Sequence, residues 1–120
     1  MSSLSNTADR SVYQLRPGTT QDNWGGDETV SLSVLTDSLP MRLEWSGGKS
    51  TDWDAWCFDL SADIQEDDIL LVEDPDMILA LMVVRVTPFT SLKSKRLHHY
   101  EIICEEHELS VVELKTEAGI

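Results

Sequence analysis

Alternation of apolar and polar residues with a period of two is the feature that most limits what this chain can fold into. It recurs in residues 29–35, 41–45 and 97–105, where apolar or aromatic side chains gather on one face. Successive residues of a strand point to opposite faces of a sheet, so this pattern is typical of half-buried strands. No long segment shows the period of an amphipathic helix.

Further strands are predicted at residues 11–15, 53–60 and 69–72. Residues 69–72 form a continuous apolar run, which indicates a strand that is buried on both faces. Pro17 and Gly18 are expected to end the first strand, so residues 17–28 are predicted to form a long polar loop. The chain is therefore predicted to be all-β, a small barrel or sandwich of about six or seven strands with long loops.

The segment 77–87 carries conflicting signals. Asp74 followed by Pro75 is a helix-start pattern, with the aspartate as N-cap and the proline in the first turn. The second half of the segment is β-branched almost throughout, which favours a strand. We predict a strand over residues 77–87, and a helix over residues 77–82 remains the alternative.

The length of 120 residues fits a single domain, which we predict to cover residues 1–120. Residues 1–10 are polar and are predicted to be a flexible N-terminus. Residues 107–120 are predicted to be a C-terminal tail ordered by a partner, or to contain a closing strand at residues 111–114.

Charge is distributed unevenly along the chain. The net charge is -13, and residues 49–80 carry ten Asp and Glu side chains against one lysine. The only basic cluster is Lys93, Lys95 and Arg96, in the loop before residue 97. An acidic chain does not bind duplex DNA freely, because the phosphates require a basic face. The pattern indicates either a solvated acidic face or a dipolar module that docks head-to-tail on copies of itself or on a ring of partners.

The cysteines and histidines do not form a metal-binding pattern. Cys57 and Cys104 are single and lie in apolar strand contexts, so we predict free, buried thiols in a reduced, cytosolic chain. His98 and His99 are adjacent on a strand, and we expect their side chains to point to opposite faces. Cys104 and His107 could meet at a metal ion only if the strand broke between them.

No motif of a hydrolase, nucleotide-binding enzyme or metalloprotease occurs in the chain. We therefore predict no enzymatic activity, no catalytic residue, no metal site and no cofactor. An interface is the better hypothesis. Trp24 and Asp22 lie in the predicted polar loop. Trp24 either folds back over the barrel or serves as an interface anchor, since tryptophan is enriched among binding hot spots. Together with Lys93, Lys95 and Arg96 these residues are the candidate interface.

Three parts of the sequence resemble the head-closure, or head–tail adaptor, proteins of tailed bacteriophages. The first is the strand at residues 12–16 with the Asp-Asn-Trp-Gly-Gly loop at 22–26. The second is the acidic turn at 63–70, and the third is the pair of segments 83–88 and 98–101 around the basic loop. The family often has a glycine at the position of Asp67.

The resemblance implies a β-barrel that assembles as a homo-oligomeric ring between the phage portal or adaptor and the tail proteins. The ring would line the channel through which DNA leaves, without sequence-specific binding and without membrane contact. It also implies that the protein is in the virion, and in the host cytoplasm during assembly. The alternative is a small acidic inhibitor, an immunity protein or DNA mimic that occupies the basic groove of a nuclease.

Overall fold

The computed structural model describes residues 9–21, 28–45, 52–93 and 95–120. These residues form six strands and one helix. In chain order they are β1 (Arg10–Gln21), β2 (Glu28–Trp45), β3 (Asp52–Cys57), β4 (Ile69–Asp74), β5 (Met77–Thr90), β6 (Leu97–Glu106) and α1 (Val111–Ala118). Among them, no helix has the length and hydropathy needed to cross a bilayer.

The six strands form a closed antiparallel barrel in the order β1-β2-β3-β6-β5-β4. The barrel closes between β1 and β4, where Tyr13 faces Leu71 and Leu15 faces Ile69. The prediction of a small all-β barrel is thereby confirmed. Closure gives the strands of the barrel wall two paired neighbours, so few of their backbone groups are left to pair with other chains.

Two apolar clusters hold the fold together. The first fills the barrel and takes buried residues from all six strands, among them Val12, Met41, Leu70 and Ile102. The second lies on the outer face of β1, β4 and β5, under α1. Strand β4 contributes alternate residues to both clusters, so the prediction that residues 69–72 are buried on both faces is confirmed.

Residues 111–114 belong to helix α1, so the prediction of a closing strand there was wrong. The hydroxyl of Ser110 accepts a hydrogen bond from the N–H of Glu113, and Gly119 ends the helix in the left-handed conformation. These are the usual N-cap and C-cap signals. A helix also places Val111 and Leu114 on one face, where both pack on the outside of the barrel.

The predicted loop at 17–28 was also wrong over much of its length. Strand β1 continues past Pro17 to Gln21, and β2 runs without a break from Glu28 through Pro40. Both prolines lie where their strand pairs with one neighbour, since β1 and β4 pair at residues 13–15 only and β2 meets β3 from Met41 onwards. A proline is tolerated at such positions because the side without a neighbouring strand does not require an N–H donor.

The N-terminal boundary differs slightly from the prediction. Strand β1 begins at Arg10, whose guanidinium lies 2.9 Å from Asp74 and 2.7 Å from Asp76. The last residue of the segment predicted to be flexible is therefore part of the barrel.

The strand prediction for residues 77–87 is confirmed, and the helical alternative is wrong. Pro75 and Asp76 form a two-residue turn, and β5 pairs with β4 from Met77 to Met82. Proline stiffens this turn and also fits a helix N-terminus, which is why the local signal was ambiguous. Backbone pairing with β4 makes residues 77–82 a strand and not a helix.

The alternating strand directions bring the described parts of two connections, residues 58–68 and residues 91–93 with 95–96, to one end of the barrel, since β3 and β5 run towards that end. Strand β1 ends and β2 begins at this same end. At the same end, residues 16–21 of β1 pair only with β2, and residues 85–90 of β5 pair only with β6. The described part of the chain therefore extends as two two-stranded ribbons, consistent with dimensions of 56 × 33 × 27 Å.

Candidate functional site

The hairpin between β5 and β6 ends in a hydrogen-bonded turn at residues 91–96, which we call the basic tip. The N–H of Ser91 donates to the carbonyl of Arg96 at 3.0 Å, and the N–H of Lys95 donates to the carbonyl of Ser91 at 2.8 Å. Lys95 has a φ of 55°, in the left-handed region. Leu92 is 95% exposed, and Lys93 is exposed next to it. The tip presents an apolar side chain together with cations on an ordered backbone.

An aromatic cluster supports the hairpin below the tip. Phe89 stacks on the ring of His99 with centroids 4.8 Å apart, and Phe58 lies 5.4 Å from the same ring. The Nε2 atom of His99 lies 3.1 Å from a carboxylate oxygen of Glu101. These contacts fix His99, which is largely buried.

The imidazoles of His98 and His99 meet, and the expectation that they point to opposite faces was wrong. Their Nδ1 atoms are 2.8 Å apart, so one ring donates and the other accepts. The physical reason is an irregularity in the ladder between β5 and β6: Phe89 faces His99 but Thr90 faces Leu97. His98 is thus the extra residue of a bulge, which turns its side chain out of the regular alternation.

The described residues contain no group of three or more His, Cys, Asp or Glu side chains that could hold a metal ion. His107 instead accepts a hydrogen bond from the N–H of Leu109 at 3.0 Å. Cys57 and Cys104 are free and fully buried, as predicted.

We expect both thiols to react slowly with a colorimetric thiol reagent in native buffer. Burial raises the pKa of Cys57 and raises that of Cys104 to about 12. Since the thiolate is the reactive form, labelling requires the barrel to open first. The same protein in denaturant is the control and should react at once, whereas rapid labelling of both thiols in native buffer would contradict the buried assignment.

The shift of Cys104 also makes stability depend on alkaline pH. Its pKa is raised by folding, so the stabilising contribution of the protonated thiol is complete below the pKa of an unfolded cysteine, about 8.5. It is lost as the pH rises towards 12, at about 1.4 kcal/mol per pH unit. Urea unfolding at pH 8 and above should show this decline.

The acidic turn at residues 63–68 is organised around one buried carboxylate. Asp68 is 1% exposed, and its two oxygens accept hydrogen bonds from Arg16 Nε and Nη2, both at 2.9 Å. They also accept from Gln14 Nε2 at 3.0 Å and from the N–H of Gln65 at 2.9 Å. The hydrogen bond to Asp68 raises the pKa of Arg16 still further above its usual value, so the guanidinium stays charged.

Asp67 adopts the left-handed conformation, with a φ of 72°. This is a conformation that glycine adopts without strain and that aspartate tolerates better than most residues. The N–H of Asp67 and the carbonyl of Asp68 both bond to Val83, each at 2.8 Å, and fasten the turn to β5.

Many carboxylates of the acidic middle segment are held by cations from other parts of the chain. Arg16 holds Asp68 and lies 3.2 Å from Asp63, and Lys115 of α1 lies 2.7 Å from Glu73. With the two pairs of Arg10, ion pairs engage five of the ten acids: Asp63, Asp68, Glu73, Asp74 and Asp76. The segment is therefore not simply a solvated face.

A polar groove of about 360 Å³ lies between β2 and residues 59–63. Leu35 and Leu39 line it from β2, Gln14 and Arg16 line it from β1, and Asp59 and Asp63 line it from the loop. We call this the acidic groove. Leu35 is 43% exposed there.

The structure positions only part of the predicted interface. Lys93, Lys95 and Arg96 lie together in the basic tip. Trp24 and Asp22 lie outside the described residues, but the strands that flank them, β1 and β2, reach the same end of the barrel.

Three features of this end were not identified from the sequence: the exposure of Leu92, the aromatic cluster and the acidic groove. The position of Leu92 inside a Ser- and Lys-rich turn could have predicted its exposure from the sequence. The other two depend on tertiary contacts. No family model, no curated protein and no solved structure matches this chain.

Proposed function

We propose that this protein is a structural connector of a tailed-bacteriophage virion. In this proposal it forms a homo-oligomeric ring between the capsid portal or adaptor and the tail, is made in the host cytoplasm, and contributes to the wall of the DNA exit channel. The proposal starts from the resemblance of residues 12–16, 22–26, 63–70, 83–88 and 98–101 to head–tail adaptor proteins.

The observation that carries it is the basic tip. Leu92 and Lys93 are presented to solvent on a turn that backbone hydrogen bonds keep in shape. An ordered tip loses little conformational freedom when it binds, which favours docking. The tip is basic, whereas residues 49–80 carry ten Asp and Glu side chains against one lysine, so the tip of one copy and this segment of another carry opposite charges.

The charges suit a connector better than a DNA mimic. A mimic needs carboxylates at phosphate-like spacing along an exposed face, whereas five of the ten middle acids are engaged in ion pairs within the chain. Exposed contacts between a tip and a neighbour are worth about 0.5 kcal/mol per pair, so they guide register more than they add affinity. Acidic side chains that face the channel would repel DNA and let it slide.

Trp24→Ala should leave the fold nearly unchanged while it weakens assembly onto phage heads. A tryptophan in a polar loop is a typical interface anchor, and its removal commonly costs an interface about 2 kcal/mol or more, roughly 30-fold in affinity. The measurement is complementation of a phage that lacks this coding sequence. Without complementation, this phage should accumulate filled heads and free tails in electron micrographs. Wild-type protein should restore joined particles, and Trp24→Ala should restore few.

Charge reversal at Lys93, Lys95 and Arg96 should slow assembly and make its rate less sensitive to salt. Circular dichroism of each variant is the control for folding. If Trp24→Ala unfolds the protein while its residual folded fraction still assembles normally, Trp24 is a core residue. If the phage without this chain still joins heads to tails, the connector function is wrong.

A further inference from the structure

We infer that the basic tip of one copy docks into the acidic groove of a second copy, with Leu92 as the apolar anchor. This rests on the proposed ring assembly and names the joint within it. The partner is another molecule of this chain, and the joint is head-to-tail, because tip and groove are different surfaces.

The tip has the properties of a ligand. Leu92 is the most exposed large apolar side chain of the described residues, at 95%. It precedes Lys93 and lies three residues before Lys95, so one insertion would bring an apolar group and two cations to the same place. The hydrogen bonds of Ser91 hold the turn in one shape before contact is made.

The groove has the complementary properties. Leu35 supplies an exposed apolar side chain, and Asp59 and Asp63 supply two carboxylates against the one guanidinium of Arg16. Asp63 remains largely exposed although it pairs with Arg16. A volume of about 360 Å³ leaves room for a leucine side chain and the adjoining part of a lysine. Apolar contact and opposite charge therefore coincide on both sides of the joint.

The exposure of Leu92 indicates that the tip and the groove meet between two copies. Leu92 is almost fully exposed in the single chain, so it does not occupy the groove of its own molecule. A molecule that offers a tip and a groove at different places makes heterologous contacts, which generate a closed ring when the rotation between copies closes. The pairing of β2 with β1 alone over residues 31–36 also leaves the β2 side of the groove without a third strand.

Cross-linking between two variants that each carry one introduced cysteine tests the joint directly. Leu92→Cys and Leu35→Cys are mixed in equal amounts, one with an affinity tag, and treated with a short bis-maleimide. The products are separated by mass. Both positions are exposed, so folding should be retained, and circular dichroism checks it. The native Cys57 and Cys104 are fully buried and should contribute little.

We expect the ratio of the mixed Leu92–Leu35 product to the two like-with-like products to exceed its random-encounter value by about tenfold, since docking raises the local concentration of one thiol near the other. Salt at about 1 M should reduce the excess, because it screens the charges. Lys93→Glu with Lys95→Glu in the Leu92→Cys chain should do the same. Ile78→Cys, an exposed apolar position on β5 near the opposite end of the barrel, is the matched control and should give random products with either partner.

Binomial products from the Leu92 and Leu35 pair, or an equal excess with Ile78→Cys, would overturn the joint. The result is independent of the virion assay. If the cross-link is specific but phage heads join tails without this protein, the joint stands and the connector function is wrong. If the products are random but head-to-tail joining requires the protein, the connector function stands and the joint is wrong.

Discussion

Asp68→Ala is expected to lower the free energy of unfolding by about 3 kcal/mol. The carboxylate is buried and accepts four hydrogen bonds, from Arg16, Gln14 and the backbone of Gln65. Its removal leaves the side chain of Gln14 and a charged guanidinium without their main acceptor in a poorly hydrated place. It also releases the acidic turn from β1, at the point where the barrel closes.

The control for this substitution is Asp63→Asn. Asp63 pairs with the same Arg16 at 3.2 Å, but its side chain is largely exposed, so the loss should stay within about 0.5 kcal/mol. Urea unfolding followed by tryptophan fluorescence measures both variants. Equal midpoints for the two would show that the buried pair contributes no more than an exposed one, and the account of the turn would then be wrong.

Leu114→Asp is expected to cost about 4 kcal/mol or more, because it removes a buried leucine and places a charge without a partner against apolar side chains. Leu114 is 1% exposed and packs in the cluster that contains Ile69 and Leu71 of β4. We expect α1 to detach and the outer face of β4 to become accessible. Thermal unfolding should shift to lower temperature, and a dye that binds apolar surface should fluoresce in native buffer.

Val112→Asp provides the matched control on the same helix. Val112 is 70% exposed, and an acidic residue in the first turn of a helix interacts favourably with the helix dipole. Its effect should therefore be small. If Leu114→Asp and Val112→Asp lower the melting temperature equally, α1 does not contribute to stability through packing.

The alternation in residues 29–35 and 97–105 predicted the β class correctly, because period-two patterning reflects a strand with one buried face. Pro17 was predicted to end the first strand, but β1 continues past it, and β2 likewise continues through Pro40. A proline disrupts a strand where a neighbour requires its N–H, and local sequence does not reveal on which sides a strand has neighbours. The register of β1 and β2 determines that, and it shows one neighbour at both prolines.

Some features of the candidate site likewise follow from local sequence, and others follow only from tertiary contacts. The cationic residues of the basic tip were evident from the sequence, because turn residues and charge are local properties. The acidic groove was not, since it joins Leu35 of β2 to Asp59 and Asp63, which lie more than twenty residues further along the chain. The contact between His98 and His99 was mispredicted because a bulge at His98 interrupts the alternation of β6. That bulge is evident only from the register of β6 with β5.

Strand β4 shows where sequence alone is sufficient and where it is not. The apolar run at 69–72 by itself determined that this strand is buried on both faces, since four successive apolar side chains cannot all face one side of a sheet. What covers the outer face was decided only by tertiary structure. Helix α1 lies there because Val111 and Leu114 pack against Ile69 and Leu71, whose apolar side chains point out of the barrel. Short helices are stabilised mainly by such packing, so the fate of residues 111–118 depended on a surface formed by distant strands.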